Sequence, residues 1–353
     1  MPNLKRLIDV IDTRLILTIY REGFLMVVIL TKTEVRLLLE MKEIIGIIEE
    51  AFVELANKTT VHPLRQSIAP EKHNGTVLFM PSYLSGMESL AIKIVSVYPD
   101  NPTLYEMPTV SALVVLIDPK TGAPLAVMDG GYLTAIRTGA VSGVATKHLA
   151  RKDSKIAAII GAGVQARTQL QALCAVRDIE EAKVFDILPR ASSNYAKEMS
   201  QNLSISVKPV RTSEEAIKEA DIICTASTSK VPVLDGDWLN DGAHINAIGA
   251  FTPETRELDT KTVKKSKIIV DCREAALAEA GDIIIPMKSG EIDEKHIYAD
   301  LGEIVTKKKE GRVTLEEITV FKSVGLAIQD AAAASVVYSN ALKEKKGVEI
   351  KLT

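Results

Sequence analysis

The sequence predicts an α/β protein in which a sheet-rich first half precedes a doubly wound parallel sheet. The chain has 353 residues, of which 46% are hydrophobic and 25% charged, so it is long enough for two domains with separate cores. Apolar runs separated by turn sequences dominate the first half. From Lys155 onward strands and helices alternate at lengths typical of βαβ units, which favours a parallel sheet.

The first half contains one predicted helix among several predicted strands. Thr31 and Glu34 have the spacing of a capping box, and the helical pattern that follows keeps one apolar face to about Ala56. The helical period returns after Leu133. The predicted strands cover residues 24–30, 76–80, 91–97, 110–117 and 123–128, with turns at PDN, DPKTG and DGG.

The segment IAAIIGAGVQARTQLQAL joins a strand to a helix through a glycine-rich turn. Gly161 permits the tight turn, Gly163 lets the backbone approach a pyrophosphate, and Ala166 keeps the helix close to the strand. Val164 and Gln165 begin a helix whose free N–H groups can face phosphate. We predict a Rossmann-type dinucleotide site here; the alternative is a tight turn without a ligand.

The strand that follows this helix ends in KVFDI, and its carboxylate bears on the choice of cofactor. At the end of this strand Asp186 can accept hydrogen bonds from both ribose hydroxyls and repel a 2′-phosphate, which predicts NAD(H). Arg190 is near enough in sequence to hold such a phosphate, so NADP(H) stays open as the alternative.

Three cations are candidates for holding a substrate, because a nicotinamide cofactor implies hydride transfer to a bound acceptor. Lys93 interrupts the apolar run LAIKIVSV, Arg65 precedes a strand in HPLRQSI, and Arg137 lies among small residues in LTAIRTGA. Taken singly, each is explained more readily by a surface or structural cation than by a functional one. His244 in GAHINAIG is explained more simply as a satisfied histidine near a strand end than as a base.

Composition excludes several other classes of protein. A net charge of −3 gives no overall basic field for nucleic acid or a membrane surface. The three cysteines lie singly, without the spacing of a disulfide framework or zinc site, and no metal site is expected. No apolar run is long enough for a transmembrane helix, and the N-terminus lacks the apolar core of a signal peptide, so a cytoplasmic protein is expected.

Six segments occur in an order that resembles the ornithine cyclodeaminase and mu-crystallin family, which includes archaeal-type alanine dehydrogenases and cyclic ketimine reductases. The resemblance runs from about residue 26 to the C-terminus. The segments are FMPSYL, AIKIVSVYPDNP, PLAVMDGGYLTAIRTGA, IIGAGVQA, INAIGAFTPETREL and EITVFKSVGLAIQD.

The resemblance implies a homodimer with a Rossmann domain and a discontinuous α+β domain for substrate binding and dimerisation. Residues 26–143 and 326–353 would form the α+β domain, and residues 144–325 the dinucleotide-binding domain. Residues 1–25 would be an extension of unknown role. The expected partners are a small imino or amino acid and a second copy of the chain.

The resemblance also implies roles for individual residues. Arg65, Lys93 and Arg137 would surround the carboxylate and the imine or amine of the substrate, and Thr138 would lie near the cofactor. A desolvated lysine with a lowered pKa could bind the carboxylate or pass a proton to the developing amine. The residues expected beside the nicotinamide are Lys322, Ser323, Val324 and Gly325.

One departure from the family pattern selects among its activities. Cyclodeaminases and archaeal alanine dehydrogenases carry an aspartate after the INAIGA-type strand, whereas this chain has Phe251, with Glu254 the next carboxylate. Releasing ammonia needs a base near the amine, but reducing a preformed imine needs only hydride, a proton and a carboxylate clamp. The prediction is therefore NAD(P)H-dependent reduction of Δ1-pyrroline-2-carboxylate or Δ1-piperideine-2-carboxylate, giving L-proline or L-pipecolate. The alternatives are alanine dehydrogenase, ornithine cyclodeaminase and a nucleotide-dependent ligand-binding protein of mu-crystallin type.

Overall fold

The computed structural model describes residues 25–353, which divide into two compact units. The first unit contains residues 25–40, Asn57–Arg137 and Leu326–Thr353, and the second contains Met41–Ala56 and Thr138–Gly325. The two units meet along the chain after Glu40, Ala56, Arg137 and Gly325. The predicted extension, apart from its last residue, lies outside the described residues.

The first unit is built on an eight-stranded sheet. Numbered along the whole chain, the strands are β1 Met26–Leu30, β2 Thr60–Val61, β3 Gln66–Ile68, β4 Thr76–Leu84, β5 Ser89–Val97, β6 Val110–Ile117, β7 Pro124–Asp129 and β16 Val348–Lys351. Their order is β16-β1-β7-β6-β5-β4-β2, with β3 also paired to β4. The pair β1 and β7 is parallel and the other pairs are antiparallel.

One long helix covers the face of this sheet that carries the buried residues of β5. The helix is α12, Ala327–Glu344, and Ser89 Oγ at the start of β5 donates a hydrogen bond to the carbonyl oxygen of Ala331 at 2.8 Å. Because side chains alternate along a strand, Lys93 lies on this same face. The other helices that begin in this unit are α1 Lys32–Leu37, α3 Asn101–Leu104 and α4 Gly130–Leu149.

The capping box predicted at Thr31 is confirmed, because the backbone N–H of Thr31 donates to the Glu34 carboxylate at 2.8 Å and the Thr31 hydroxyl accepts in return. The prediction of one continuous helix from this capping box to Ala56 is wrong. Helix α1 ends at Leu37, and α2 begins only at Met41. Leu38 and Leu39 are buried in the interval, so the apolar pattern continued where the helix did not.

The predicted turn at DGG is also wrong, because α4 begins at Gly130. Asp129 Oδ1 accepts from the backbone N–H of Tyr132 at 2.8 Å and so caps the first turn of the helix. A Cβ at position 130 would come within 2.8 Å of the Ala112 backbone, which explains the need for glycine. Strand β4 runs to Leu84, four residues past its predicted end, with Pro81 paired to Ile92.

The second unit contains eight strands, which are β8 Ile156–Ile160, β9 Glu181–Phe185, β10 Ser206–Pro209, β11 Ile222–Thr225, β12 His244–Ala247, β13 Lys267–Val270, β14 Ile297–Asp300 and β15 Thr319–Lys322. All are parallel, in the order β10-β9-β8-β11-β12-β15-β13-β14. The helices are α2 Met41–Ala56, the rest of α4, α5 Val164–Val176, α6 Pro189–Leu203, α7 Ser213–Ile217, α8 Thr260–Lys265, α9 Arg273–Glu279, α10 Gly281–Lys288 and α11 Leu301–Val305.

This sheet is doubly wound, so the predicted α/β fold class is confirmed. The strand order reverses between β8 and β11, and in such sheets ligands bind outside the carboxyl ends of the strands at that reversal. The residues of β11 and β12 are all buried, as expected for strands with helices on both faces. Across residues 25–353, no helix is both long enough and apolar enough to cross a membrane.

Candidate functional site

Lys93 is a buried cation on the α12 face of the first sheet. Only 2% of its surface is exposed, and its ammonium nitrogen lies 2.6 Å from Asp330 Oδ2 in α12. A lysine that reached solvent would not be enclosed in this way. The structure therefore excludes the surface and snorkelling explanations of this residue.

Arg137 reaches the same aspartate from α4. Its Nε donates to Asp330 Oδ1 at 2.9 Å, and its Nη1 donates to Gln329 Oε1 at 2.5 Å. Arg137 is 5% exposed, and Asp330 and Gln329 are buried. Asp330 thus takes one cation on each carboxylate oxygen and holds Lys93 and Arg137 in a fixed arrangement, which we call the cation pair.

The environment of Lys93 makes its ammonium easy to deprotonate. Burial, as the larger cause, and the positive charge of Arg137 together lower the pKa of Lys93 from its usual value to about 7. The Asp330 carboxylate opposes both effects, and the positive charge of Arg65 adds a smaller lowering. Arg65 lies half-buried just before β3, in the same unit.

This arrangement can bind an anion and exchange a proton. Two buried cations share one carboxylate, so the site carries an excess of positive charge that a substrate carboxylate would neutralise. A lysine whose pKa is near neutrality can give up a proton at physiological pH. The site therefore combines a carboxylate clamp with a candidate proton donor.

Asp330 and Gln329 are functional residues that the sequence motifs did not single out. They lie in GLAIQDAAAASVV, where they are adjacent polar residues in an otherwise small and apolar helix. Such a pair cannot be buried without partners, and the unmatched Lys93 and Arg137 were the available ones. That complementarity was the signal in the sequence that could have found them.

The glycine-rich turn of the second unit has the geometry of a phosphate-binding turn. Gly161 has φ of +97°, and a Cβ there would lie 2.6 Å from the Ala226 carbonyl oxygen. Gly163 precedes α5 and is exposed, and a Cβ at this position would meet nothing within 4 Å. Val164 is 65% exposed at the start of α5, whereas Ala166 is buried against the strand.

Asp186 follows β9 and supports the same turn. Its Oδ2 accepts from the backbone N–H of Ala162 at 2.8 Å, and its Oδ1 accepts from the N–H of Leu188 at 2.9 Å. The carboxylate is therefore fixed beside the glycine turn, and each oxygen keeps lone pairs for a further donor. Arg190 is exposed near the start of α6.

The segment after β15 is held by another buried carboxylate. Asp271 Oδ2 accepts from the hydroxyl of Ser323 at 2.9 Å and from the N–H groups of Val324 and Gly325 at 2.8 Å each. The Lys322 ammonium is turned into the protein, where it lies 2.7 Å from Asp282. Its predicted place beside a nicotinamide therefore depends on its backbone rather than on its side chain.

The remaining predicted residues differ in their exposure and in their hydrogen-bond partners. Thr138 is 8% exposed and its carbonyl oxygen accepts from Gln169 at 3.1 Å. Phe251 follows β12 and is 42% exposed, and Glu254 is exposed in the next turn. His244 is buried beside the Thr319 hydroxyl at 2.9 Å, and burial lowers its pKa to about 3, so it is a neutral core histidine.

Comparison with known proteins gives one consistent result. Over 323 residues the chain is 39% identical to Δ1-pyrroline-2-carboxylate reductase of Bacillus cereus, covering 91% of this chain and 99% of that protein. It is 54% identical to the Δ1-pyrroline-2-carboxylate reductase of Thermococcus litoralis solved with NADH and L-proline, with a TM-score of 0.89 over 92% of this chain and 100% of the other. An archaeal alanine dehydrogenase dimer with bound NAD is 40% identical, with a TM-score of 0.88 over 93% and 100%.

Residues 26–345 match the ornithine cyclodeaminase/mu-crystallin family. This range contains the cation pair, Asp330, the glycine turn and Asp186. The resemblance seen in the sequence is therefore confirmed over nearly the whole chain, and the protein belongs to the ornithine cyclodeaminase/mu-crystallin family.

Proposed function

We propose that this protein is an NAD(H)-dependent reductase of cyclic imino acids, with Δ1-pyrroline-2-carboxylate as substrate and L-proline as product. Δ1-Piperideine-2-carboxylate, which gives L-pipecolate, differs by one methylene group and is the second substrate of the same class. The observation that carries the proposal is the buried cation pair held by Asp330, because it provides an anion clamp and a titratable proton.

Reduction of a cyclic imine requires a hydride at C2 and a proton at the ring nitrogen. NADH, when bound, supplies the hydride. Arg137 binds the substrate carboxylate, assisted by Arg65, and the Lys93 ammonium gives its proton to the nitrogen as the C=N double bond is reduced. Asp330 keeps Lys93 and Arg137 together despite their like charges.

The second unit has the residues to hold a dinucleotide. The pyrophosphate would bind over Gly161 and Gly163 at the N-terminus of α5, where a Cβ at Gly163 would have open space around it. Gln165 Oε1, at the start of that helix, is buried and has no hydrogen-bond partner among the described residues. Thr138 and the 322–325 segment stay predicted cofactor contacts.

We expect the protein to prefer NADH over NADPH. Asp186 places a fixed negative charge beside the glycine turn, where it favours ribose hydroxyls and repels a 2′-phosphate. Asp186→Ser should reduce this preference by about 1 to 3 kcal/mol, measured as the ratio of kcat/KM for the two cofactors. A wild-type preference for NADPH would contradict this account and favour Arg190 as the phosphate partner.

The rate of reduction should fall as the pH rises through about 7. Burial and Arg137 lower the pKa of Lys93 to about 7, so the free protein loses the ammonium form above that pH. Both the attraction for the substrate carboxylate and the proton are lost with it, and kcat/KM should fall about tenfold per pH unit. Pyrrole-2-carboxylate has a ring that does not titrate near neutrality, so its inhibition should reflect the protein alone. Its inhibition constant should rise over the same pH range. Constant inhibition up to about pH 9 would show that Lys93 does not control binding.

Phe251 bears on the choice among family activities. A phenyl ring can neither neutralise the δ-ammonium of ornithine nor act as a base, whereas a cyclodeaminase needs both functions. We expect NADH oxidation with at least one cyclic imine and no proline from L-ornithine with NAD+. Phe251→Asp should weaken imine reduction without creating efficient cyclodeamination.

The same assay separates the alternative functions. Pyruvate with ammonia tests for alanine dehydrogenase, which the likeness to the archaeal enzyme keeps as the second candidate. Binding of imino acids without NAD(P)H oxidation would indicate a ligand-binding protein. Rapid conversion of ornithine to proline and ammonia would show that another carboxylate, with Glu254 nearest in sequence, serves as the base.

We assign substrate binding and dimerisation to the first unit and dinucleotide binding to the second. The face of the first sheet opposite α12 carries apolar residues on neighbouring strands, including the half-buried Phe79 and Ile94 and the exposed Leu113. Such a face suits pairing with a second copy of the chain, and a homodimer is therefore proposed. The three cysteines are unpaired, which suits the proposed cytoplasmic location. Sedimentation velocity tests the oligomeric state.

A further inference from the structure

Glu257 is a fully buried carboxylate on which four hydrogen-bond donors converge. Its Oε1 accepts from the backbone N–H and the hydroxyl of Ser227, both at 2.7 Å. Its Oε2 accepts from the Thr225 hydroxyl at 2.8 Å and from the Gly249 N–H at 2.7 Å. These groups lie at the carboxyl ends of β11 and β12, so one side chain ties the ends of two neighbouring strands together.

A second buried carboxylate extends the connection to β15. Asp282 Oδ1 accepts from the N–H groups of Glu257 and Leu258 at 2.7 and 2.8 Å, and its Oδ2 lies 2.7 Å from the Lys322 ammonium. Lys322, the last residue of β15, donates to the carbonyl oxygen of Ala250 at 2.5 Å. Glu257, Asp282 and Lys322 are each completely buried, so the group is part of the interior and makes no direct contact with solvent.

The position of this group in the sheet indicates which part of the cofactor it serves. Asp186 follows β9, on one side of the strand-order reversal between β8 and β11, and is the proposed partner of the adenosine ribose. The second mononucleotide of a bound dinucleotide lies on the other side of the reversal, at the ends of β11 and β12. Those are the ends that Glu257 fixes.

We propose that Glu257 is a positioning residue that holds the loops after β11 and β12 in the conformation that binds the nicotinamide half of the cofactor. The inference rests on the proposed dinucleotide binding and adds to it a specific residue. A carboxylate is required because each of its two oxygens must accept from two donors. A glutamine would place its NH2 group against N–H or O–H donors on one side.

The test compares the binding of NADH with the binding of ADP, which lacks the nicotinamide half. In Glu257→Gln the dissociation constant for NADH should rise about tenfold or more, whereas that for ADP should change by less than about twofold. Ser227→Ala removes one of the four donors and leaves the carboxylate in place. It should shift the ratio of the two constants in the same direction by a smaller factor, and it covers the case in which Glu257→Gln does not fold.

Asp221 offers a matched control, because its carboxylate has a similar structural task at the opposite end of β11, where it joins the start of that strand to the start of the neighbouring β8. It accepts from the N–H groups of Lys155 and Ile156 at 2.7 and 2.9 Å and from Arg151 at 2.5 Å. Asp221→Asn should lower the melting temperature but leave the ratio of the NADH and ADP constants unchanged. If the effect of Glu257→Gln were only a general loosening of the sheet, the dissociation constants for NADH and ADP would rise together in Glu257→Gln and in Asp221→Asn, and the inference would be wrong.

Two outcomes would overturn the inference and are distinguishable from each other. If the wild-type protein binds NADH and ADP, and neither Glu257→Gln nor Ser227→Ala changes the ratio of their constants, then Glu257 does not position the nicotinamide half. If the wild-type protein binds neither ligand, the proposed dinucleotide binding fails and this inference fails with it.

Discussion

Lys93→Met is expected to abolish imine reduction while leaving the fold and NADH binding intact. Methionine has a similar length and no charge, and it can occupy a position that is only 2% exposed. Asp330 keeps Arg137 as its partner at 2.9 Å, so the substitution does not leave an unpaired buried charge. The variant lacks both the proton donor and the positive charge that would attract the substrate carboxylate. Together these losses should reduce kcat/KM by about a thousandfold or more.

Lys120→Met is a suitable control for this variant. Lys120 lies in the same unit in the turn after β6, its side chain is 51% exposed, and it pairs with an exposed Glu88 at 3.1 Å. It should retain wild-type kinetics. Ordinary kinetics in Lys93→Met, with unchanged melting temperature and NADH affinity, would show that the buried lysine is structural and not part of the chemistry.

Arg137→Lys is expected to lose almost as much activity as Arg137→Ala. The guanidinium contacts two residues at once, Asp330 through Nε and Gln329 through Nη1, and must still present donors to the substrate. One ammonium on a flexible chain cannot reproduce that planar arrangement. We expect both variants to lose at least about a hundredfold in kcat/KM, measured with the imine varied at saturating NADH.

The comparison with NADH affinity separates loss of substrate binding from loss of the fold. NADH affinity should stay close to wild type in both Arg137 variants, because the dinucleotide groups lie in the other unit. If Arg137→Lys kept near wild-type efficiency, the carboxylate clamp would have to be assigned elsewhere, and Arg65 would be the next candidate.

The sequence predicted the second sheet better than it predicted the first half of the chain. Buried parallel strands and the glycine turn are local features, since each strand is a short apolar run and Gly161 is required by its own backbone angle. The break between α1 and α2 was not predictable from periodicity, because Leu38 and Leu39 continue the apolar pattern through it. Where a helix ends depends on the tertiary packing of its apolar face, and the local apolar pattern does not predict that packing.

The candidate site was found only in part, for a related reason. Lys93 and Arg137 were conspicuous because a cation in an apolar setting has no local explanation. Asp330 and Glu257 gave no comparable signal, since their partners are about 240 and 30 residues away in the chain. Which buried charges meet is a property of the tertiary structure, and single positions do not encode it.

Hydride is expected to pass from NADH to C2 of a cyclic imine. The experiment uses NADH carrying deuterium at the transferable position of C4, with Δ1-pyrroline-2-carboxylate as substrate, followed by mass analysis of the product. We predict L-proline with one deuterium at Cα, formed in equal amount to the NAD+ produced. Oxidation of NADH without labelled proline, or no turnover of this imine or of its six-membered homologue, would contradict the account.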